Sequence, residues 1–177
     1  MKAAELVEQI ELNYSKHGIE RVAQACIDSP EMLDLLIKLV NQANGRPAQL
    51  ASWVLSKVTD LNAGVVSAYF ETLVKLINHS TSSSVKRNVI RTFIHIDLPE
   101  EYHGLLIDSC FKTLKNHEYS IAERSFSMHV LGKYVKIYPE LSNELIPIIE
   151  VGMPNESAAF KSVGRKLLKE MKRKIYT

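Results

Sequence analysis

One pattern recurs along this chain at nearly constant spacing, and it constrains the fold more than any other feature. Val85-Lys86 is followed by Val89 and Phe93, Ala122-Glu123 by Phe126 and Val130, and Phe160-Lys161 by Gly164 and Leu168. Pro47-Ala48, followed by Ala51 and Leu55, is a looser copy. The copies begin at residues 47, 85, 122 and 160, so they lie 38, 37 and 38 residues apart. Offsets of four and eight residues fall on one face of an α-helix with about 3.6 residues per turn. Another amphipathic segment lies between successive copies. The unit is therefore a helical hairpin, repeated four times. A hairpin cannot bury its apolar face alone, so repeats of this kind stack on one another.

The intervening segments agree. Leu33, Leu36, Ile37 and Val40 recur at helical spacing, as do Phe70, Leu73, Leu76 and Ile77, and Leu106, Cys110, Phe111 and Leu114. No segment alternates long enough to make a strand. The spacing predicts ten helices, at 3–16, 18–28, 30–44, 47–60, 64–79, 83–97, 99–116, 119–138, 139–152 and 156–175. Pro30, Pro99 and Pro139 each sit at a predicted helix start with a glutamate behind them. Proline loses no bond there, and the acid complements the helix dipole. The polar runs Ser80–Ser84 and Asn155–Ser157 read as loops and caps. Short connections make successive helices antiparallel.

At 177 residues and 46% hydrophobic content, the chain is long enough for one substantial core and short for two ordinary domains. A net charge of +2 does not by itself argue for nucleic acid. Cys26 and Cys110 lie inside apolar patterns and read as buried thiols of a reducing compartment rather than a disulfide. The start, MKAAELVEQIEL, is acidic and amphipathic, unlike a signal peptide. No apolar run approaches the ~18 residues of a membrane span. The expected location is cytoplasmic. Charge is unevenly spread: residues 1–44 carry four Lys/Arg against seven Asp/Glu, whereas residues 156–177 carry seven against two.

A hairpin with Val-Lys, a small or apolar residue and a further apolar residue in its second helix resembles HEAT or armadillo-type repeats. The resemblance covers residues 30–177. It implies an all-α, right-handed α-α superhelix, a short solenoid of about ten antiparallel helices. The chain would then be one domain, 1–177, with capping helices in 1–29 and four hairpins in 30–177. The period is slightly under the ~40–47 residues usual for these repeats. The expected cation at the second offset appears only as Lys86 and Lys161. The chain is also similar to short bacterial helical-repeat proteins that sometimes carry an adenylosuccinate lyase label. It does not support that activity, because Gly152-Met153-Pro154-Asn155 lacks the serines and lysine of the lyase loop.

In such solenoids the second helices line the concave side. Offsets 2, 6 and 9 lie opposite the core stripe and select Gln49, Trp53 and Ser56; Arg87, Arg91 and Ile94; Arg124, Met128 and Leu131; and Ser162, Lys166 and Lys169. Trp, Arg and Met are enriched at interface centres. The candidate binding residues are thus Trp53, Arg87, Arg91, Arg124, Met128, Lys166 and Lys169. The competing reading is structural: Trp53 packs on an adjacent helix, the arginines are merely solvated, and Ile94 and Leu131 on the same row touch neighbouring inner helices.

Nothing in the chain makes a catalytic constellation. It has no phosphate-binding glycine loop, nucleophile elbow or H-E-x-x-H. His17, His79, His95, His103, His117 and His129 stand at no metal-ligand spacing. Glu100 and Glu101 follow Pro99 and read as a helix start rather than an acid–base pair. No enzyme, cofactor or metal is expected. The final helix carries Phe160, Val163, Leu167, Leu168, Met171 and Ile175 on one face and cations on the others, as a terminal repeat requires. The expected activity is non-catalytic binding of a protein or peptide. Nucleic-acid binding is the alternative, since HEAT-like alkylpurine DNA glycosylases hold DNA on a basic concave face. No acid on the candidate row here supports base excision. The acidic start and basic end also point to weak head-to-tail self-association.

Overall fold

The computed structural model describes residues 2–79 and 82–175, and of residues 174 and 175 the backbone alone. Ser80 and Thr81 of the expected cap, and the side chains of Lys174 and Ile175, lie outside it. The fold is all-α, with no strand among the described residues. The helices are α1 (Ala3–Leu12), α2 (Lys16–Asp28), α3 (Pro30–Gln42), α4 (Gly45–Leu61), α5 (Phe70–His79), α6 (Ser83–Thr92), α7 (His103–Lys115), α8 (Ile121–Tyr134), α9 (Ser142–Gly152) and α10 (Ala158–Ile175). Turns of 3-10 helix precede four of them, at Ala63–Tyr69, Glu100–Tyr102, Pro139–Leu141 and Met153–Asn155.

Local chemistry sets the boundaries. Ser15 accepts a hydrogen bond from the Gly18 amide at 3.0 Å and opens α2 two residues before its expected start. Ser29 caps α3 through the Met32 amide, with Pro30 at the first helical position. Ser82 caps α6 through the Val85 amide. Ser120 and Glu123 cap α8 reciprocally: the Ser120 amide donates to Glu123 at 2.9 Å and the Glu123 amide to Ser120 at 3.3 Å. Each such cap contributes about 1 kcal/mol to its helix.

The chain forms two compact units, the first ending at Tyr102 and the second beginning at His103. In the first, α4 is the hub and packs against α1, α2, α3 and α6. Leu36, Val54, Leu55, Val58, Leu73, Ile77, Val89 and Phe93 are fully enclosed there. In the second, α8 packs against α7 and α10, and α9 against α10. Leu106, Met128, Val130, Leu131, Leu145 and Ile149 fill its interior. Cys26 and Cys110 are both buried and outside any disulfide. Burial pushes the Cys26 thiol up to about 12, which keeps it protonated and unreactive at neutral pH.

The expected core stripe holds in three of the four copies. Ala51, Leu55 and Val58 are buried, as are Val85, Val89, Phe93 and Ile96, and Phe160, Gly164, Leu168 and Met171. In the copy at 122 it holds only at Val130. Ala122, Phe126 and Lys133 are half-buried, whereas Arg124, Met128 and Leu131 are enclosed. One stripe presumes one buried face, but α8 is covered on two sides. Gly132, one turn after Met128, permits this: a Cβ there would stand 2.3 Å from Leu167 Cδ2. The helix α10 therefore closes over the row that the spacing assigns to an open surface. Its own apolar face, Phe160, Leu167, Leu168 and Met171, is buried in return.

Candidate functional site

The candidate row divides between the two units. In the first, Arg91 is spent on joining α6 to α4, along a seam that other polar residues share. Asn88 donates to Ser52 Oγ at 3.0 Å. Arg91 donates to the Ser56 carbonyl at 3.4 Å and to Asp60 Oδ2 at 2.8 Å. Lys57 reaches the same carboxylate at 3.0 Å, and His95 lies 3.5 Å from its other oxygen. Partial burial pushes the Asp60 carboxyl up, but the hydrogen bonds from Arg91 and Lys57 outweigh it and hold the group below its ordinary value. Arg87 donates to Asn88 at 3.4 Å and so lies beside the same seam.

Trp53 turns the other way. Its half-buried ring meets Tyr14 edge-on, with centroids 5.4 Å apart and planes at 76°. The Arg46 guanidinium stands 5.4 Å from the Tyr14 centroid and donates to Glu11 at 2.8 Å. Tyr14 keeps 59% of its surface exposed, and Leu12 beside it is also open. The ring that meets Trp53 is therefore that of Tyr14, which Arg46 covers in turn.

In the second unit Met128 is fully enclosed and touches no solvent. It is a core residue, corrected from the expected surface row for the packing reason given above. Arg124 is likewise internal. Both its side chain and that of Glu156 are 6% exposed. They form a two-pronged pair, Nη1 to Oε1 and Nη2 to Oε2, the second at 3.0 Å. The guanidinium carbon lies 5.6 Å from the Phe160 centroid, and His117 Nδ1 lies 3.2 Å from Nη1. Among the described residues Arg124 Nε has no partner, although it is buried. Lys166 and Lys169 remain on the exposed side of α10.

This pair underlies a cavity of about 480 Å³. Leu114 of α7, Pro147, Ile148 and Val151 of α9, and Phe160 of α10 supply apolar walls; Arg124 and Glu156 supply the polar part. Val151 at its margin is 79% exposed. Mostly apolar walls with a few convergent polar groups, within roughly 300–1,000 Å³, are the usual make-up of a ligand pocket. The arrangement offers shape, apolar contact and oriented hydrogen bonding. The Arg124–Glu156 pair neutralises itself, and Lys115, His117 and Asn155 complete the polar part of the lining. Among the described residues no group of three His, Cys, Asp or Glu side chains is placed to hold a metal ion.

Reading along the chain finds Arg124 but misses Glu156, Tyr14 and the α9 wall. A signal for Glu156 exists in the repeat itself. Polar partners stand close to one period apart: Arg46 and Glu11, 35 residues; Asn88 and Ser52, 36; Tyr69 and Asp34, 35; His103 and Tyr138, 35; Arg124 and Glu156, 32. Stacked repeats place equivalent positions side by side, so a lone polar residue finds its partner one repeat away.

A family model described as a HEAT repeat domain matches residues 6–171. No curated protein and no solved structure matches the chain.

Proposed function

The chain belongs to the HEAT repeat family, and on that premise we propose that it is a non-catalytic scaffold that binds an extended protein or peptide segment. HEAT repeats commonly mediate protein interactions. The observation that carries the reading is the cavity between α7, α9 and α10. Its apolar walls suit one bulky apolar side chain of the bound segment. Exposed Val151 and Pro147 carry the apolar wall out to the margin of the cavity. The enclosed Arg124–Glu156 pair fixes its polar end in a rigid geometry, which lowers the ordering cost of binding. The half-buried Trp53 with Tyr14 and Arg46 offers a second contact of the residue types enriched at interface centres.

The test is selection from a random peptide display library on the purified chain. Selected peptides should share a bulky apolar residue and should lose binding to Val151→Glu, a change at an exposed position that leaves the core intact. Peptides that bind Val151→Glu as well as the parent chain overturn the reading.

The alternative, nucleic-acid binding on a basic face, draws less support. Arg91 and Arg124 spend their charge on Asp60 and Glu156. Unshared positive charge is concentrated instead around α10, where its chemistry points elsewhere.

A further inference from the structure

The unit that begins at His103 carries twelve Lys/Arg against eight Asp/Glu, whereas the unit before it carries ten against twelve. Much of the excess converges. Lys136, just past the end of α8, and Lys166, Lys169 and Arg173 of α10 line a groove of about 430 Å³, with Glu170 as the one acid among its lining residues. Lys166, Lys169 and Arg173 are spaced three and four apart, which puts them on one helix face. Lys136 is brought to them by the close approach of α10 to α8 at Gly132.

Several other lysines of this unit have partners. Lys115 pairs with Glu144, Lys172 with Glu150, and Lys161 donates to the Pro154 carbonyl. Among the described residues, Lys136, Lys166 and Lys169 make no ion pair and no side-chain hydrogen bond. The helix dipole accounts for cations near a C-terminus, as at Lys136 and Arg173. It does not account for Lys166 and Lys169 in the middle of α10. Like charges one turn apart destabilise a helix, so the arrangement carries a cost in the absence of an anion.

We propose that this groove between the end of α8 and the exposed face of α10 binds a compact, multiply charged phosphate ligand. Three of its four cations are ammonium groups. These are strongly hydrated point charges that suit dense phosphate oxygens, whereas guanidinium favours the flat, two-pronged recognition of carboxylates. None of the five lining residues is aromatic, so the groove has nothing on which to stack a nucleobase. Its dimensions suit a short run of phosphates held from several sides.

Calorimetric titration of the full chain with inorganic tripolyphosphate tests the proposal. Citrate at matched ionic strength and a short DNA duplex provide the comparisons. Tripolyphosphate binds the parent chain and binds better than citrate. The double change Lys166→Glu/Lys169→Glu weakens it roughly tenfold or more at about 0.15 M salt, and Lys166→Gln/Lys169→Gln weakens it less. Lys38→Glu, an exposed change on α3, leaves it unaltered. Thermal melting followed by circular dichroism shows that every variant folds as the parent does. Four results overturn the proposal: no binding; equal affinity for citrate; binding untouched by the double reversal; or duplex DNA binding more tightly with each added length, which assigns the groove to a nucleic-acid backbone. A fifth is sedimentation showing a low-salt dimer lost in the double reversal, which assigns it to the acidic region of a second copy.

Discussion

Two seams between second helices, α4–α6 and α8–α10, solve the same packing problem with an arginine and an acid, yet in opposite surroundings. In the first, Arg91 keeps 26% of its side chain exposed and shares Asp60 with Lys57 and His95. In the second, Arg124 and Glu156 are withdrawn from water almost completely. Charge attraction at a wet edge is weakened by solvent and salt, and its contribution is small. Inside, attraction is stronger, but each charge has also lost its hydration, so neither tolerates the loss of the other. The difference follows from how closely the helices approach. Gly132 lets α10 close tightly over α8. The α4–α6 seam places the polar groups Ser52, Asn88 and Asp60 along the contact instead.

The contrast is broken most severely at Glu156. Glu156→Ala leaves Arg124 buried and unpaired and should cost about 3–5 kcal/mol in chemical denaturation. Arg124→Leu/Glu156→Leu should recover most of that loss, because an apolar pair needs no compensation. A double variant as unstable as the single one would show that the ion pair is not the cause. In the first unit, Asn88→Ala removes the bond to Ser52 from a buried site and should cost about 1–3 kcal/mol by the same measurement. Changes of equal size at Asn88 and Glu156 would erase the distinction between the seams.

The smallest effect is on pH dependence. Asp60 titrates lower in the folded chain than when unfolded, so its contribution is present above the ordinary carboxylate pKa of about 3.9 and fades as pH falls through the folded value. Asp60→Asn should flatten the acid limb of the stability curve below about pH 4, with little change in its slope near neutrality. An unchanged acid limb would mean that Arg91 and Lys57 hold the carboxylate no better than water does.

Much of this was legible along the chain. The helices follow from apolar spacing, and two of their starts from Pro30 and from the serine run that holds Ser82, whereas after Pro99 and Pro139 a 3-10 turn comes before the α-helix. The burial of Cys26 and the docked face of α10 follow from the same periodicity. The candidate row was legible as a list of residues but not as a surface. Helical spacing records which side chains share a face, and is silent on how many neighbours a helix has. The row of Arg124 and Met128 is thus indistinguishable in sequence from that of Lys166 and Lys169. In the structure the first is interior and the second lines an open groove.

The basic stretch around Arg87 and Arg91 shows the same division. Its repeat position, its core residues Val85, Val89 and Phe93, and its serine cap are set by local rules acting within some ten residues. Those rules depend only on backbone geometry and side-chain polarity, which the sequence carries in full. The fate of Arg91 depends on Asp60, 31 residues earlier and brought close only when α6 lies on α4. Distance and burial decide what a charge is worth, and both belong to the packed chain. Sequence alone determined the repeat and its helices. Tertiary structure alone decided which cations are spent on holding the helices together and which are left to meet a ligand.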